Sequence, residues 1–262
     1  MNLEIENKIQ EAIPLIKNKT HILHFSTGAD SISCFLRLRE LGIEPILIYN
    51  YYLPHIPMVD NYIDYFEKKF NVHIYRLPSA VYLKNMDNAL YQLPIKARET
   101  FRNHITKFNL VRKNEQAKQR KDILKAIGKK EGEVIFSRGL KYTDGFFRFY
   151  NIKIYGAVSK DYTFCPIGSF TIEDVQNILR KYDCKLPIEY GFCGISFESP
   201  RGFNILGIKR ECPESFKYIC KYFPMTRASA FRDKYTKGNT HFRARVKQFG
   251  EFAIDKKDYE VW

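Results

Sequence analysis

The chain has 262 residues, 45% of them hydrophobic, and a formal net charge of +14. This length supports one substantial core, and the lack of a membrane-spanning apolar run or a signal peptide predicts a cytoplasmic protein without membrane association. Six cysteines without a secretory signal favour free thiols or a metal site over disulfides.

The positive charge is concentrated in two segments. Residues 96–131 carry 12 Lys/Arg against 4 Asp/Glu, a net of +8, and residues 227–247 carry 7 against 1, a net of +6. Two basic patches on an otherwise neutral body fit a polyanionic partner, so we expect a nucleic acid, DNA or tRNA, to bind through them. The same charges are compatible with solvated helix faces or with a small phosphorylated substrate.

The first third of the chain alternates between strand and helix patterns. Apolar residues at helical spacing predict a leading helix over 2–18. Strands are then predicted at 22–23, 45–49 and 72–77, with helices over 32–41 and 57–70 between them. This order is typical of parallel βαβ units, in which ligands bind beyond the carboxyl ends of the strands.

A short polar loop, Ser26-Thr27-Gly28-Ala29-Asp30-Ser31, joins the first predicted strand to the next helix. A strand, a small-residue turn and a helix N-terminus together aim backbone N–H groups at an anion, and the loop hydroxyls add donors. The loop is therefore a candidate phosphate site. An ordinary strand-to-helix connection, with Asp30 or Ser31 as the N-cap, is the alternative.

The order of these loop residues resembles the SGGxDS motif of the PP-loop (N-type) ATP pyrophosphatase superfamily, with Thr27 in place of the first glycine. The resemblance implies ATP and Mg²⁺ as cofactors, with Mg²⁺ at Asp30 and catalytic roles for Asp30 and Ser31. The nucleotide contacts that it implies in the loop are Ser26, Thr27, Gly28, Ala29, Asp30 and Ser31.

Three cations follow a fourth predicted strand at Arg138, Lys141 and Arg148. At the end of a strand they would lie on the same rim as the loop and contact phosphate, although a scatter of solvated cations is the alternative. The stretch from Gly139 to Arg148 resembles the motif after the fourth strand of PAPS-reductase-like proteins, with Lys141 in place of arginine. The resemblance implies Gly139 as a nucleotide contact, and the three cations on the rim are the candidate catalytic residues of this segment.

Two later stretches and one earlier loop resemble the same PAPS-reductase-like branch. Residues 164–175 resemble a segment that opens a helix, in which Thr171 and Asp174 form a near capping box. Residues 186–190 resemble the Leu-Pro-x-x-Tyr that follows it. The loop after the second strand corresponds to an adenosine contact in this branch, so Tyr49 or Tyr51 is a candidate to face an adenine. Packing in the core or on the surface is the alternative for both tyrosines.

An aromatic stretch, residues 146–150, interleaves four aromatic residues with an arginine. Base stacking is one interpretation, but four aromatics beside a strand more often form core, and we expect core packing. The alternation in 152–155 predicts a further peripheral strand.

Five cysteines lie in the second half of the chain, at spacings that match no compact zinc or ferredoxin pattern. Some PAPS-reductase-like DNA-sulfur-modification proteins bind an iron–sulfur cluster through dispersed cysteines, so a cluster is one interpretation and buried free thiols are the other. The cysteines concerned are Cys165, Cys184, Cys193, Cys212 and Cys220.

The predicted fold is α/β, of the adenine-nucleotide α-hydrolase type, with a parallel sheet of about five strands flanked by helices. We expect a PP-loop domain over 1–225, with a basic helical insertion at about 80–131, and a basic C-terminal extension over 226–262. The insertion has no Pro or Gly between 96 and 126 and is rich in helix formers. It is also compatible with a homodimer interface or a lid over the nucleotide.

The predicted function is cleavage of ATP to AMP and pyrophosphate to adenylylate and modify a nucleic acid, by thiolation or a related change, with a sulfur-donor protein as a further partner. A PAPS-type reductase or sulfurtransferase is the enzyme alternative, but the Glu-Cys-Gly-[IL]-His segment of sulfonucleotide reductases does not occur; Cys193-Gly194 only superficially resembles it. A non-catalytic nucleic-acid-binding protein with a degenerate loop, suggested by Thr27, is the second alternative.

Overall fold

The structure is a computed structural model that describes residues 1–79, 115–199, 202–235 and 240–259. Five strands form one parallel sheet in the order β3-β2-β1-β4-β5. The strands are β1 (Thr20–His24), β2 (Ile46–Tyr51), β3 (Ile74–Pro78), β4 (Val134–Ser137) and β5 (Thr163–Phe164). The predicted parallel α/β sheet of about five strands flanked by helices is confirmed.

Helices precede and link the strands and form the C-terminal part of the chain. They are α1 (Leu3–Ile16), α2 (Ala29–Glu40), α3 (Pro57–Phe70), α4 (Glu115–Ala126), α5 (Phe146–Tyr155), α6 (Ile172–Lys181), α7 (Gly202–Glu211), α8 (Pro213–Tyr222), α9 (Thr226–Tyr235), α10 (Thr240–Phe249) and α11 (Lys256–Tyr259). None of the described helices is long and apolar enough to cross a membrane.

Local sequence signals set three of the helix ends. Gly42 follows α2 and takes a φ of +71°, a backbone conformation that favours glycine. Pro57 is the first residue of α3, where its missing N–H removes no helical hydrogen bond. Thr171 Oγ1 accepts from the N–H of Asp174 at 3.3 Å and the Asp174 carboxylate accepts from the N–H of Thr171 at 2.8 Å, so the capping box at the start of α6 is confirmed.

Strand β1 lies at the centre of the sheet and pairs in parallel with both β2 and β4. The chain winds outward from β1 through β2 to β3, then returns and continues on the other side through β4 to β5. The carboxyl ends of β1 and β4 therefore form the point where the direction of winding reverses. Open α/β sheets bind their ligands at this point, since the loops on its two sides diverge and leave a crevice.

The chain divides into two compact units. The first comprises residues 1–49, 72–75 and 124–186, and among its fully buried side chains are Ile22, Leu23, Phe35, Phe136 and Phe164. The second comprises residues 50–71, 76–123 and 187–262, and among its most buried side chains are Tyr62, Phe66, Ile219, Phe223 and Phe249. The predicted boundary near residue 225 stays a prediction.

Two predictions for residues 146–155 are wrong. The segment 152–155 is not a strand but the end of helix α5, and the aromatic stretch that precedes it is not core. Phe146 and Phe147 are 73% and 80% exposed, whereas Ile152 is buried. The alternation of Ile152 and Ile154 has another cause: one isoleucine faces the protein and the other, 54% exposed, faces solvent on the same helix.

The predicted basic insertion lies partly outside the described residues, which resume at 115. Its described part forms helix α4, as its composition predicts, and Ile123 and Leu124 are buried. The apolar residues Phe101, Ile105, Phe108 and Val111 of the insertion lie outside the described residues.

Candidate active site

The loop after β1 has a tightly constrained backbone. Strand pairing continues one residue beyond β1, where the N–H of Phe25 donates to the carbonyl of Ile48 at 2.9 Å. Two residues later Thr27 is 3% exposed and takes a φ of +58°. This conformation costs a β-branched residue about 1–3 kcal/mol, and here it occurs at the position where the resembling motif has glycine. Thr27 thus adopts a positive φ although it is not glycine.

The hydroxyl of Ser31 closes the loop from the inside. Ser31 Oγ accepts from the N–H and from the hydroxyl of Ser26, both at 3.2 Å, and donates to the carbonyl of Gly28 at 2.9 Å. Ser31 itself is 4% exposed. Its side chain is thus engaged in holding the loop, and the exposed hydroxyl at this site belongs to Ser26.

Helix α2 begins directly at this loop. Gly28 is the N-cap, so the alternative that Asp30 or Ser31 caps the helix is wrong. A glycine N-cap offers no side-chain acceptor to the N–H groups of the first turn. The partial positive charge of the helix N-terminus is therefore presented at the carboxyl end of β1, as phosphate sites require.

The segment after β4 approaches the start of α2 at backbone distance. A methyl group placed on Gly139 would lie 2.6 Å from both the carbonyl carbon and the carbonyl oxygen of Asp30. Such a contact is closer than non-bonded atoms allow, so only glycine permits this approach. Gly139 was predicted from the motif to be a site residue. In the structure, its lack of a side chain allows the loop after β4 to contact the start of α2.

Lys141 joins the two loops through charge. Its side chain is 4% exposed, and Nζ lies 2.6 Å from the Asp30 carboxylate and 3.1 Å from the Asp144 carboxylate. Asp144 also accepts from the N–H of Lys141 at 2.9 Å, which closes a short 3₁₀ turn over 142–144. The carboxylate of Asp30 on α2 therefore meets the ammonium of Lys141 and the carboxylate of Asp144, both in the turn after β4, where the direction of winding of the sheet reverses.

Asp144 holds this cluster together. It was not among the site residues predicted from the sequence. It contacts Lys141 on one side and the guanidinium of Arg148 on the other, at 3.1 Å. Its place at the acidic position of the motif that Gly139 and Arg148 match could have identified it as a site residue.

Arg138 and Arg148 lie beside a cavity of about 590 Å³ at the carboxyl ends of β4 and β5. Lys160 and Cys165 also line this cavity. Burial raises the pKa of the Cys165 thiol to about 11, while the positive charges of the two arginines act in the opposite direction. Of the three cations predicted on one rim, Lys141 contacts the loop, and the two arginines lie at the adjoining cavity.

The two candidate adenine-facing tyrosines differ in exposure. Tyr49 is buried inside β2, with 6% of its surface exposed, whereas Tyr51 at the end of the strand is half-buried. A contact of either ring with adenine stays a prediction.

The cysteines assigned to an iron–sulfur cluster do not come together. Among the described residues, which include every cysteine, no three His, Cys, Asp or Glu side chains are grouped so as to hold a metal. Burial also raises the pKa of the Cys193 thiol to about 12, which keeps it protonated at neutral pH. The donor set therefore does not fit a cluster bound by Cys165, Cys184, Cys193, Cys212 and Cys220.

The basic segments display most of their described cations to solvent. In the first segment these are Lys118, Lys121, Lys125, Lys129 and Lys130, and in the second they are Arg227, Arg243 and Lys247. Residues 96–114 and the side chains of 232–242 lie outside the described residues. Binding of nucleic acid through the two segments stays a prediction.

The fold and the site define a doubly wound α/β protein in which a small-residue loop and a buried lysine meet where the direction of winding of the sheet reverses. No protein-family model matches the chain, and no curated protein is significantly similar to it.

Solved structures with a similar fold include the U34-tRNA thiolase NcsA from Methanococcus maripaludis with its [4Fe-4S] cluster and NAD+ synthetase from Burkholderia pseudomallei. The first has a TM-score of 0.41 and 13% identity over 90% of this chain and 80% of that one. The second has a TM-score of 0.39 and 10% identity over 98% and 84%. Both belong to the PP-loop ATP pyrophosphatase superfamily.

Proposed function

We propose that the chain is a PP-loop ATP pyrophosphatase that cleaves ATP to AMP and pyrophosphate and thereby adenylylates a nucleic acid. The observation that carries the proposal is the meeting of the β1–α2 loop with Lys141 at the switch point of the sheet. A closed small-residue loop, a helix N-terminus and a buried ammonium within 2.6 Å of the first helical turn form an anion site of the kind that holds a phosphate chain.

In this proposal an oxygen of the nucleic acid attacks the α-phosphate, the bond from the α-phosphorus to the bridging oxygen breaks, and pyrophosphate leaves with the bonding electrons. A sulfur or nitrogen nucleophile, brought by a donor protein, then displaces AMP from the activated position. The protein contributes alignment and charge neutralisation. Backbone N–H groups of Gly28 to Ser31 and the Ser26 hydroxyl hold the departing pyrophosphate, and Lys141 offsets its charge.

Asp30 and Asp144 fit a role beside a magnesium–nucleotide complex. Both carboxylates are only partly exposed, at 29% and 21% of the side chain, and both face Lys141. Mg²⁺ in nucleotide sites usually takes one or two carboxylates and obtains its other ligands from phosphates and water. Asp30 is the residue that would hold it, and the ion would supply charge neutralisation at the β- and γ-phosphates.

Two features speak against the alternatives. A reductase or sulfurtransferase needs a reactive thiolate, but Cys193 is 3% exposed and burial raises its pKa to about 12. A degenerate loop was suggested by Thr27, but Thr27 is buried and the loop around it is closed by the hydrogen bonds of Ser31. Cys193→Ser is therefore expected to keep activity, and Asp30→Ala to abolish it.

The test is to incubate the full chain with Mg²⁺ and ATP labelled at the α- or the γ-phosphate, with bulk tRNA or single-stranded DNA. The expected products are labelled AMP from the first ATP and labelled pyrophosphate from the second, with transient transfer of the α-label to the accepted nucleic acid. Release of ADP and orthophosphate instead would overturn the proposal.

A further inference from the structure

Helix α5 presents aromatic rings to solvent directly after the Lys141–Asp144 turn. Phe146, Phe147 and Tyr150 are 73%, 80% and 48% exposed. The rings of Phe146 and Tyr150 are nearly parallel, at 26°, with centroids 6.2 Å apart, and Phe147 meets Phe146 edge-on at 6.1 Å. Three neighbouring exposed rings are an apolar patch of the kind that marks a binding surface. This group is called the aromatic face.

Positively charged residues lie on helix α5, which carries the aromatic face, and just after it. Between Gly145 and Lys160 the chain has Arg148, Lys153 and Lys160 but no Asp or Glu. Lys153 is engaged with Glu4 at 3.4 Å, on α1. Arg148 and Lys160, with Arg138, line the cavity that adjoins the helix. Asp161 is the single carboxylate among the residues that line this cavity, and it accepts hydrogen bonds from the hydroxyls of Ser159 and Thr163.

We infer that the aromatic face and the adjoining cationic cavity bind a single-stranded segment of nucleic acid. Bases stack on the rings of Phe146, Phe147 and Tyr150, and the backbone phosphates contact Arg138, Arg148 and Lys160. The inference rests on the proposed function, because this strand is the acceptor that is adenylylated.

Single-stranded nucleic acid fits this surface better than a protein or a duplex does. Stacking needs bases whose faces are open, which duplex pairing prevents. Protein interfaces are depleted of lysine at their centre, whereas here guanidinium and ammonium groups adjoin the rings and complement a phosphate backbone. The aromatic rings and the cations together match both parts of a nucleotide.

The surface is also placed to deliver the acceptor to the nucleotide site. Arg148 contacts Asp144 at 3.1 Å, and Asp144 contacts Lys141 at 3.1 Å. The Asp144 carboxylate therefore lies between Arg148, which lines the cationic cavity, and Lys141, which contacts the β1–α2 loop.

The inference is tested by fluorescence anisotropy with a fluorescein-labelled 12-nucleotide oligo-U and oligo-dT, without ATP. The double variant Phe146→Ala/Phe147→Ala is expected to bind at least about tenfold more weakly, since each stacked base contributes substantially to affinity. Lys160→Gln is expected to lower the slope of log K against log salt by about one. Tyr75→Ala, which removes a 52% exposed ring from β3, is the matched control and binds like the unmodified chain.

A second variant separates stacking from apolar contact. Phe146→Leu/Phe147→Leu keeps apolar surface but removes the π-faces, and it is expected to lose both affinity and the quenching of 2-aminopurine in a labelled strand. Unchanged binding by the alanine or the leucine variant would overturn the inference, as would equal affinity for the same sequence as a duplex.

The assay distinguishes failure of this inference from failure of the proposed function. Because ATP is absent, a chain that releases no pyrophosphate still gives a binding result. Conversely, equal binding by all variants would refute the binding surface proposed here. The cleavage of ATP would still be tested separately, by the products it releases.

Discussion

The ammonium of Lys141 lies 2.6 Å from the carboxylate of Asp30, which joins the loop after β4 to the first turn of α2. The two residues meet because β1 and β4 are parallel neighbours, so their carboxyl ends open on the same crevice. Since Lys141 is buried, its charge is held in one place by Asp30 and Asp144. This contact ties the start of α2 to the turn after β4 and fixes the Lys141 ammonium beside the candidate phosphate loop.

Lys141→Met is expected to lower the free energy of unfolding by about 3 kcal/mol, because it leaves Asp30 and Asp144 close together without their cation. Binding of ATP is expected to weaken by at least tenfold. Urea titration and isothermal calorimetry measure the two effects.

Lys181→Met is the matched control for this variant. Lys181 pairs with Glu40 at the other end of α2, but its side chain is 63% exposed, so its loss should change stability far less than the loss of Lys141 does. Equal destabilisation by the two variants, or normal ATP affinity in Lys141→Met, would contradict the role given to Lys141.

Ser31→Ala is expected to open the β1–α2 loop. The substitution removes the acceptor of the Ser26 N–H and the donor to the Gly28 carbonyl, which should lower the free energy of unfolding by about 1–2 kcal/mol and weaken ATP binding. Thermal unfolding with and without ATP measures both changes.

Ser33→Ala, two residues further along α2, is the control for Ser31→Ala. Ser33 is fully buried, but its hydroxyl has no hydrogen-bond partner among the described residues, so its removal should be neutral or slightly stabilising. If both serine variants behave alike, the hydroxyl of Ser31 does not hold the loop.

Gly139→Ala is expected to separate the two loops of the crevice. The new methyl would lie 2.6 Å from main-chain atoms of Asp30, which cannot move without displacing the start of α2. We expect a loss of stability of about 1–3 kcal/mol and weaker ATP binding, measured by denaturant unfolding and calorimetry.

Gly250→Ala tests whether any glycine substitution has this effect. Its methyl would lie 3.5 Å from the nearest atom, on Val246, which is an ordinary contact. This variant should fold and bind ATP normally. A Gly139→Ala chain with unchanged stability would show that the close approach is not required.

Glu189→Gln is expected to change how stability depends on pH. Glu189 is 2% exposed, and burial raises its pKa from 4.5 to about 7, against the opposing effect of its own N–H and the N–H of Phe197. The folded chain therefore keeps a proton that the unfolded chain releases between these two values. Stability falls as pH rises through this range, by up to about 3 kcal/mol above pH 7.

The glutamine variant should remove this loss, so it should be more stable than the unmodified chain at pH 8 and similar to it near pH 4.5. The difference in melting temperature between the two chains, followed from pH 4.5 to 8.5, measures the effect. The exposed Glu198, changed to glutamine, is the control and should give no such difference. A constant difference between Glu189→Gln and the unmodified chain would contradict the prediction.

Signals between near neighbours in the chain determined most of the elements. The buried strands, the helices α1, α2, α3 and α6, and the turn at Gly42 follow from apolar spacing, capping and glycine, all of which act within a few residues. Short-range patterns gave a wrong prediction at α5, because the alternation of Ile152 and Ile154 has the period of a strand although the segment is a helix. Solvent exposure of Phe146 and Phe147 depends on what packs against α5, which no local pattern contains.

The sequence by itself also identified the loop at Ser26–Ser31 and the residues of the second motif, because their order is a local pattern. Only the tertiary structure decided that Lys141 is buried against Asp30 and that Gly139 touches the main chain of α2. These two contacts join Asp30 to residues that follow it by more than 100 positions in the sequence. They follow from the parallel pairing of β1 and β4, which brings together the loops after these two strands although the loops are far apart in the sequence.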